Sequence, residues 1–280
     1  MDSRTDVETS TEWLVEGGDQ ARFLRRWSPT TPPIARLLVV HGYAEHSGRY
    51  DGFARQMARG GIAVAAPDLQ GHGRSGGARA KVDSIDDVVA DARRALDRLT
   101  SESESRPFVL GHSMGGLVAT ALVLGEQDRV AGLILSGAAL ADPSLLESLL
   151  AIEPFPEVVL DSVHLSRDPR VAADYDADPL NYRGPMQRET VASLTSGARR
   201  VRDESHTLRL PLLVLHGSED GLVPATGSEE LARTAASKDK ECEVLAGLRH
   251  EILNEPEGPE IGERILAWIR RRVEAPGGVC

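Results

Sequence analysis

Apolar positions along the chain fall into short runs separated by longer stretches with helical spacing. Leu37–His41, Ile62–Ala66, Pro107–Leu110 and Val130–Leu135 are compact apolar runs of the length expected for buried strands. Arg49–Arg59 suits a helix closed by Gly60 and Gly61. A longer helix is predicted from a cap at Asp83 or Ser84 to about Leu99. It places Ile85, Val88, Val89, Ala92, Leu96 and Leu99 on one face. Met114–Leu124 continues the alternation as a helix. Later come a strand at Pro211–His216, a helix at Ala225–Ala236, a strand at Glu241–Ala246 and a helix at Gly258–Arg271. Near the start, Trp13–Glu16 and Arg22–Trp27 read as a strand pair around Gly17-Gly18-Asp19, and residues 1–10 as a disordered tail.

Strands alternating with helices predict the α/β class, a mostly parallel central sheet covered by helices on both faces. A single domain over residues 1–280 accommodates every element. The alternation fails over residues 140–207, where Pro154-Phe155-Pro156, Arg167-Asp168-Pro169 and Asp178-Pro179 interrupt the chain and no buried strand is evident. An insertion that follows a strand at the carboxyl edge of such a sheet sits where ligands bind, so residues 140–207 read as a cap. Within it, Ser144–Ile152 is apolar around most of a helical circumference. Its apolar stretch, Leu145–Ile152, is a candidate contact with a lipid surface.

Composition narrows the function. The 43 acidic residues outnumber the 32 basic ones, for a formal net charge of -11, which argues against a nucleic-acid partner. The two cysteines, Cys242 and Cys280, do not make a disulfide framework. No signal-like N-terminus and no apolar run of about 18 residues is visible, so a cytoplasmic protein is expected, at most peripheral at a membrane. Oligomeric state is not encoded in any pattern of the sequence. No Cys/His cluster has metal-ligand spacing and no P-loop occurs, so neither metal nor cofactor is expected.

Gly111-His112-Ser113-Met114-Gly115 is a G-x-S-x-G pentapeptide between a predicted strand and a predicted helix. That context makes Ser113 a candidate nucleophile held on a sharp turn. A serine hydroxyl needs a base, normally histidine, to take its proton. Of eight histidines, His250 follows the last predicted strand, where the base is expected. His41 and His216 end strands and read as hydrogen-bonded structural residues. The acid that orients the base is sought past the penultimate strand, which selects Asp220, with Glu219 and Asp142 as weaker candidates. Two backbone N–H groups must hold the oxyanion: Met114, after the nucleophile, and a residue of His41-Gly42-Tyr43-Ala44, most simply Tyr43. Gly71-His72-Gly73-Arg74-Ser75-Gly76 matches G-x-G-x-x-G, but no helix opens on it. It is read as part of the pocket rim and not as a dinucleotide site.

With these residues placed, the chain resembles the monoacylglycerol lipases and their bacterial lysophospholipase-like relatives, which are serine α/β-hydrolases. The likeness rests on four stretches: the run from His41 through Glu45-His46-Ser47-Gly48-Arg49-Tyr50, Asp68 to Ser75, Gly111 to Gly116, and Leu165–Pro169 with Tyr175–Leu180 in the cap. It spans about residues 20–270. The resemblance implies an α/β-hydrolase fold. It implies cleavage of monoacylglycerols to fatty acid and glycerol through an acyl-enzyme, with a glycerol head held by Glu45, Arg49 and Tyr175. The alternatives are a lysophospholipase and a general short- or medium-chain carboxylesterase. The intact Ser, Asp and His argue against a non-catalytic receptor or scaffold. Tyr43 departs from the small residue often found at its position.

Overall fold

In the computed structural model, residues 7–15, 17–140 and 142–274 are described. Among them, eight strands form one sheet: β1 (Val7–Val15), β2 (Arg22–Pro29), β3 (Ala35–Val40), β4 (Ile62–Pro67), β5 (Phe108–His112), β6 (Gly132–Ser136), β7 (Leu212–Gly217) and β8 (Lys240–Leu245). Their order is β1-β2-β4-β3-β5-β6-β7-β8. β1 and β2 pair antiparallel, β2 joins β4 antiparallel, and β3 to β8 run parallel. The expected α/β architecture is the one observed. The disordered tail is corrected in part. Residues 7–10 belong to β1, where their backbone pairs with Arg26–Pro29 of β2, so polar side chains do not prevent an edge strand. Residues 1–6 and Glu16 of the predicted strand lie outside the described residues.

Two apolar layers flank the sheet. On one face α1 (Asp51–Arg59) and α8 (Gly258–Val273) pack over Leu37, Ile62, Phe108 and Ile134, with Trp27 and Trp268 fully buried. On the other, α2 (Ile85–Thr100), α3 (Met114–Gly125) and α7 (Thr226–Thr234) cover Leu38, Val109, Leu133 and Val214. Ser84 is the cap of α2, its hydroxyl accepting from Asp86 N at 3.2 Å. The predicted stripe Ile85, Val88, Val89, Ala92, Leu96 and Leu99 is buried along its length.

Among the described residues, the segment between β6 and β7 carries three α-helices, α4 (Pro143–Leu150), α5 (Pro169–Ala177) and α6 (Arg188–Glu204). α6 packs on α3 and α4, burying Val191, Leu194, Ala198 and Val201. Strand order reverses between β3 and β5, because β4 returns to one side of β3 and β5 to the other. The carboxyl ends of β3 and β5 thus border the crevice where α/β sheets bind ligands. Among the described residues, no helix is long and apolar enough to cross a membrane.

Candidate active site

Ser113 stands between the end of β5 and the start of α3, with φ 53° and ψ -124°. A non-glycine residue in that region is strained, and the surroundings must hold it there. Ser113 N donates to Ser136 O at 3.2 Å, while Ser113 O accepts from Gly116 N and Ala139 N, both at 2.9 Å. The turn is possible only because its neighbours lack side chains. A Cβ on Gly115 would lie 2.1 Å from Val40 O and 2.3 Å from His41 O; one on Gly111 would lie 2.3 Å from Gly115 O. These contacts are with backbone, which cannot swing aside.

Asp220 and His250 meet as the sequence suggested. His250 Nδ1 lies 2.7 Å from Asp220 Oδ2, and both side chains are buried. Glu219 and Asp142 do not take this position; Asp142 instead caps α4, accepting from Ser144 N at 3.0 Å. Asp220 has further donors. Leu222 N and Val223 N each reach Oδ1 at 2.9 Å, and His216 Nε2 reaches Oδ2 at 3.0 Å. Burial disfavours the Asp220 charge, but the bonds from His216 and His250 outweigh it and hold the carboxyl well below the usual carboxylate range. His216 is fully buried and also contacts Ser228 Oγ and Val223 O. Its Nε2 faces two acceptors, so that nitrogen carries the proton. The sequence reading gave His216 a structural role and missed its contact with the candidate acid. The spacing of four residues to Asp220 was the available signal.

Ser113 and His250 line one cavity of about 250 Å³. Its remaining walls are mostly apolar, from Tyr43, Met114 and Ala139 near the serine to Leu146, Leu149, Val158, Leu160, Met186, Val191 and Leu194 of the insertion. Among the described residues, the backbone amides of Tyr43 and Met114, at the ends of β3 and β5, are paired with no acceptor. Two unpaired donors beside the serine are what an oxyanion site requires. His112 turns away from this cavity, with Nδ1 2.8 Å from Ser136 O. Burial first, and then the nearby His250, push its pKa down to about 4.

Glu45, Arg49 and Tyr175 are not among the residues that line the Ser113 cavity. Glu45 Oε1 accepts from Gly42 N at 2.6 Å and from Tyr50 Oη at 2.8 Å, and Oε2 accepts from Arg49 Nη1 at 3.0 Å. Arg49 also makes a two-pronged pair with Glu251, Nη1 to Oε1 and Nη2 to Oε2 at 2.9 Å. The Tyr175 hydroxyl is spent on the carbonyls of Ala44 and Tyr182, each at 3.0 Å, and its ring lies 5.0 Å from the Arg49 guanidinium. Burial opposes the Glu45 charge; Arg49 overcomes it and keeps the carboxyl below its ordinary range. Glu45 and Arg49 do line a separate, water-sized cavity with His112, Ser136 and Glu251. Gly42 stands between that cavity and the serine, since a Cβ there would be 2.9 Å from Glu45 Oε1 and 3.1 Å from Ser113 Cβ. Glu251 and Asn254 went unrecognised in the sequence, because nothing local marks a carboxylate whose partner lies about two hundred residues away.

The glycine loop after β4 is also corrected. It does not form the rim of the Ser113 cavity. Asp68 Oδ1 accepts from Ser47 N and Oδ2 from Arg74 N, both at 2.8 Å, so the loop braces the segment after β3.

Comparison with known proteins agrees with this geometry. A family profile described as "Serine aminopeptidase, S33" matches residues 31–257. A monoacylglycerol lipase of Mycolicibacterium smegmatis is 35% identical, over 87% of this chain and 90% of its own. The monoglyceride lipase of Mus musculus is 31% identical, over 95% of this chain and 92% of its own. The crystal structure of Paleococcus ferrophilus monoacylglycerol lipase superposes with a TM-score of 0.74 at 28% identity, covering 94% of this chain and 98% of that one. With the serine turn and the Asp220–His250 pair at the carboxyl edge of the sheet, the chain belongs to the monoacylglycerol lipase-like family of serine α/β-hydrolases.

Proposed function

We propose that this protein hydrolyses monoacylglycerols to fatty acid and glycerol through an acyl-enzyme on Ser113. The observation that carries the reading is the cavity of about 250 Å³ holding Ser113 and His250 within largely apolar walls. An acyl chain fits such walls, and the ester carbonyl then lies at the serine. Ser113 Oγ attacks the carbonyl carbon as His250 takes its proton. Asp220 holds His250 in the required tautomer, and the Tyr43 and Met114 amides meet the oxyanion. His250 returns the proton to the departing glycerol oxygen. Water then repeats the sequence on the acyl-enzyme and frees the fatty acid. In this reading the chain forms one domain in which residues 140–207 act as the cap.

The glycerol head lies on the Gly42 side of the serine, toward the small polar cavity. Glu45 serves it with the one lone pair that its three internal donors leave on Oε2. Arg49 acts through Glu45, and Tyr175 by holding the Ala44 carbonyl, rather than by direct contact with the head. Leu145, Ile152, Val159 and Val163 are about half exposed on the insertion, which supports transient contact with a lipid surface.

A panel that varies head group and acyl length independently tests the function. Monoacylglycerol should exceed triacylglycerol and lysophospholipid of the same chain. Equal rates on all three, or a preference for lysophospholipid, would replace the reading with a general esterase or a lysophospholipase. Glu45→Ala should slow a nitrophenyl ester, because Gly42 N loses its acceptor beside the oxyanion site. Its loss on monoacylglycerol should be about tenfold greater still, one hydrogen bond to a charged group. Equal losses on both esters would leave Glu45 only its structural role.

A further inference from the structure

The Arg49–Glu251 pair joins the two loops whose spacing the chemistry depends on. Glu251 is next in sequence to His250, in the loop after β8. Arg49 opens toward α1 and, through Glu45, holds Gly42 N, one residue before the Tyr43 amide. All three side chains are buried, with Glu45 and Glu251 at 5% exposure and Arg49 at 10%. Glu251 accepts from three donors: Asn254 Nδ2 donates to its Oε2 at 2.8 Å beside the two bonds from Arg49. Its backbone is pinned as well, Glu251 N donating to Leu165 O of the insertion at 2.7 Å. Ala44, between Tyr43 and Glu45, takes φ 64°, and its carbonyl accepts from Tyr175 Oη at 3.0 Å and Tyr182 N at 2.9 Å. The strained loop is therefore held from three directions: the loop after β8 acting through Arg49, the Ser47–Tyr50 turn that precedes α1, and the insertion.

We propose that Glu251 is a positioning residue for the ester hydrolysis: through Arg49 and Glu45 it fixes the oxyanion loop at Tyr43 relative to the base at His250. A bidentate guanidinium–carboxylate pair fixes distance and angle together, which a single hydrogen bond does not. An error of about 1 Å between oxyanion donors and base costs roughly a hundredfold in rate. The inference rests on the proposed ester chemistry, which the wild-type enzyme tests separately in the same assays.

The test is kinetic, on Glu251→Gln and Glu251→Ala in the full chain, with monoacylglycerol and a nitrophenyl ester of the same acyl chain. Active sites are counted by titration with a fluorophosphonate, so a partly folded preparation still yields kcat per competent site. Glu251→Ala should lower kcat about a hundredfold on both esters, with KM changed less than about threefold. Glu251→Gln keeps the shape and one acceptor, so it should lose less. The double variant Arg49→Met, Glu251→Met should be no slower than the worse single, because the two act as one unit. A loss seen only with monoacylglycerol, and in KM, would make Glu251 part of the head-group site and overturn the proposal. So would additive losses in the double variant, or kcat within about twofold of wild type. If wild type itself hydrolysed neither ester, the fault would lie with the proposed function and not with the brace.

Discussion

Leu149→Glu tests the acyl wall. Leu149 is half-buried in α4 and lines the cavity that holds Ser113 and His250. Each methylene moved from water onto such a wall contributes about 0.8 kcal/mol. Lengthening a nitrophenyl ester from butyrate to octanoate adds four methylenes, so about 3 kcal/mol. As transition-state binding, that raises kcat/KM about two hundredfold. A carboxylate at position 149 keeps its water and wets the wall around it. If half of the chain's contact is lost, half the free energy goes with it, and the octanoate-to-butyrate ratio falls to about fifteenfold. The assay is kcat/KM for both esters, below the concentration at which octanoate aggregates, on wild type and variant. The short ester should lose little. A ratio unchanged from wild type, with both esters reduced alike, would refute the reasoning and make Leu149 a packing residue.

Asp220→Asn should lower kcat by about ten thousandfold, since the amide favours the wrong His250 tautomer, while leaving the fold intact by circular dichroism; a loss under tenfold would remove Asp220 from the mechanism. Stability should fall as pH drops from about 6.5 toward 4. Burial holds His112 near pKa 4 and His72 near 3, so both stay neutral in the fold, whereas in the unfolded chain they bind protons from about pH 6.5 downward. The unfolded state then carries more protons, and the stability present above pH 6.5 is lost progressively. Urea unfolding at pH 7.5, 5.5 and 4.5 measures it, and a midpoint that did not move would contradict the burial of these rings.

The parallel core was legible because buried strands leave continuous apolar runs and α2 leaves an unbroken stripe. The candidate triad was legible because each member follows a strand at a point the chain order specifies. The insertion was harder. α6 carries Val191, Leu194, Ala198 and Val201 at helical spacing, yet Thr190, Ser193, Thr195 and Ser196 interleave them and dilute the signal. α5 begins at Pro169 behind Asp168, whose side chain caps it through Arg170 N at 3.0 Å. The same Asp-Pro pair that reads as a break marks a helix start. Glu45 and Arg49 were legible as charged residues of a recognisable stretch, but not as a network closed by Glu251. Contacts at that separation leave no local pattern.

The most direct test of the central claim is to treat the protein with a fluorophosphonate and find the modified residue by peptide mass, following monoacylglycerol hydrolysis in parallel. The account predicts one adduct, on Ser113, formed in step with the loss of hydrolysis, and neither adduct nor hydrolysis in Ser113→Ala. An adduct on another residue, or hydrolysis that survives in folded Ser113→Ala, would contradict it.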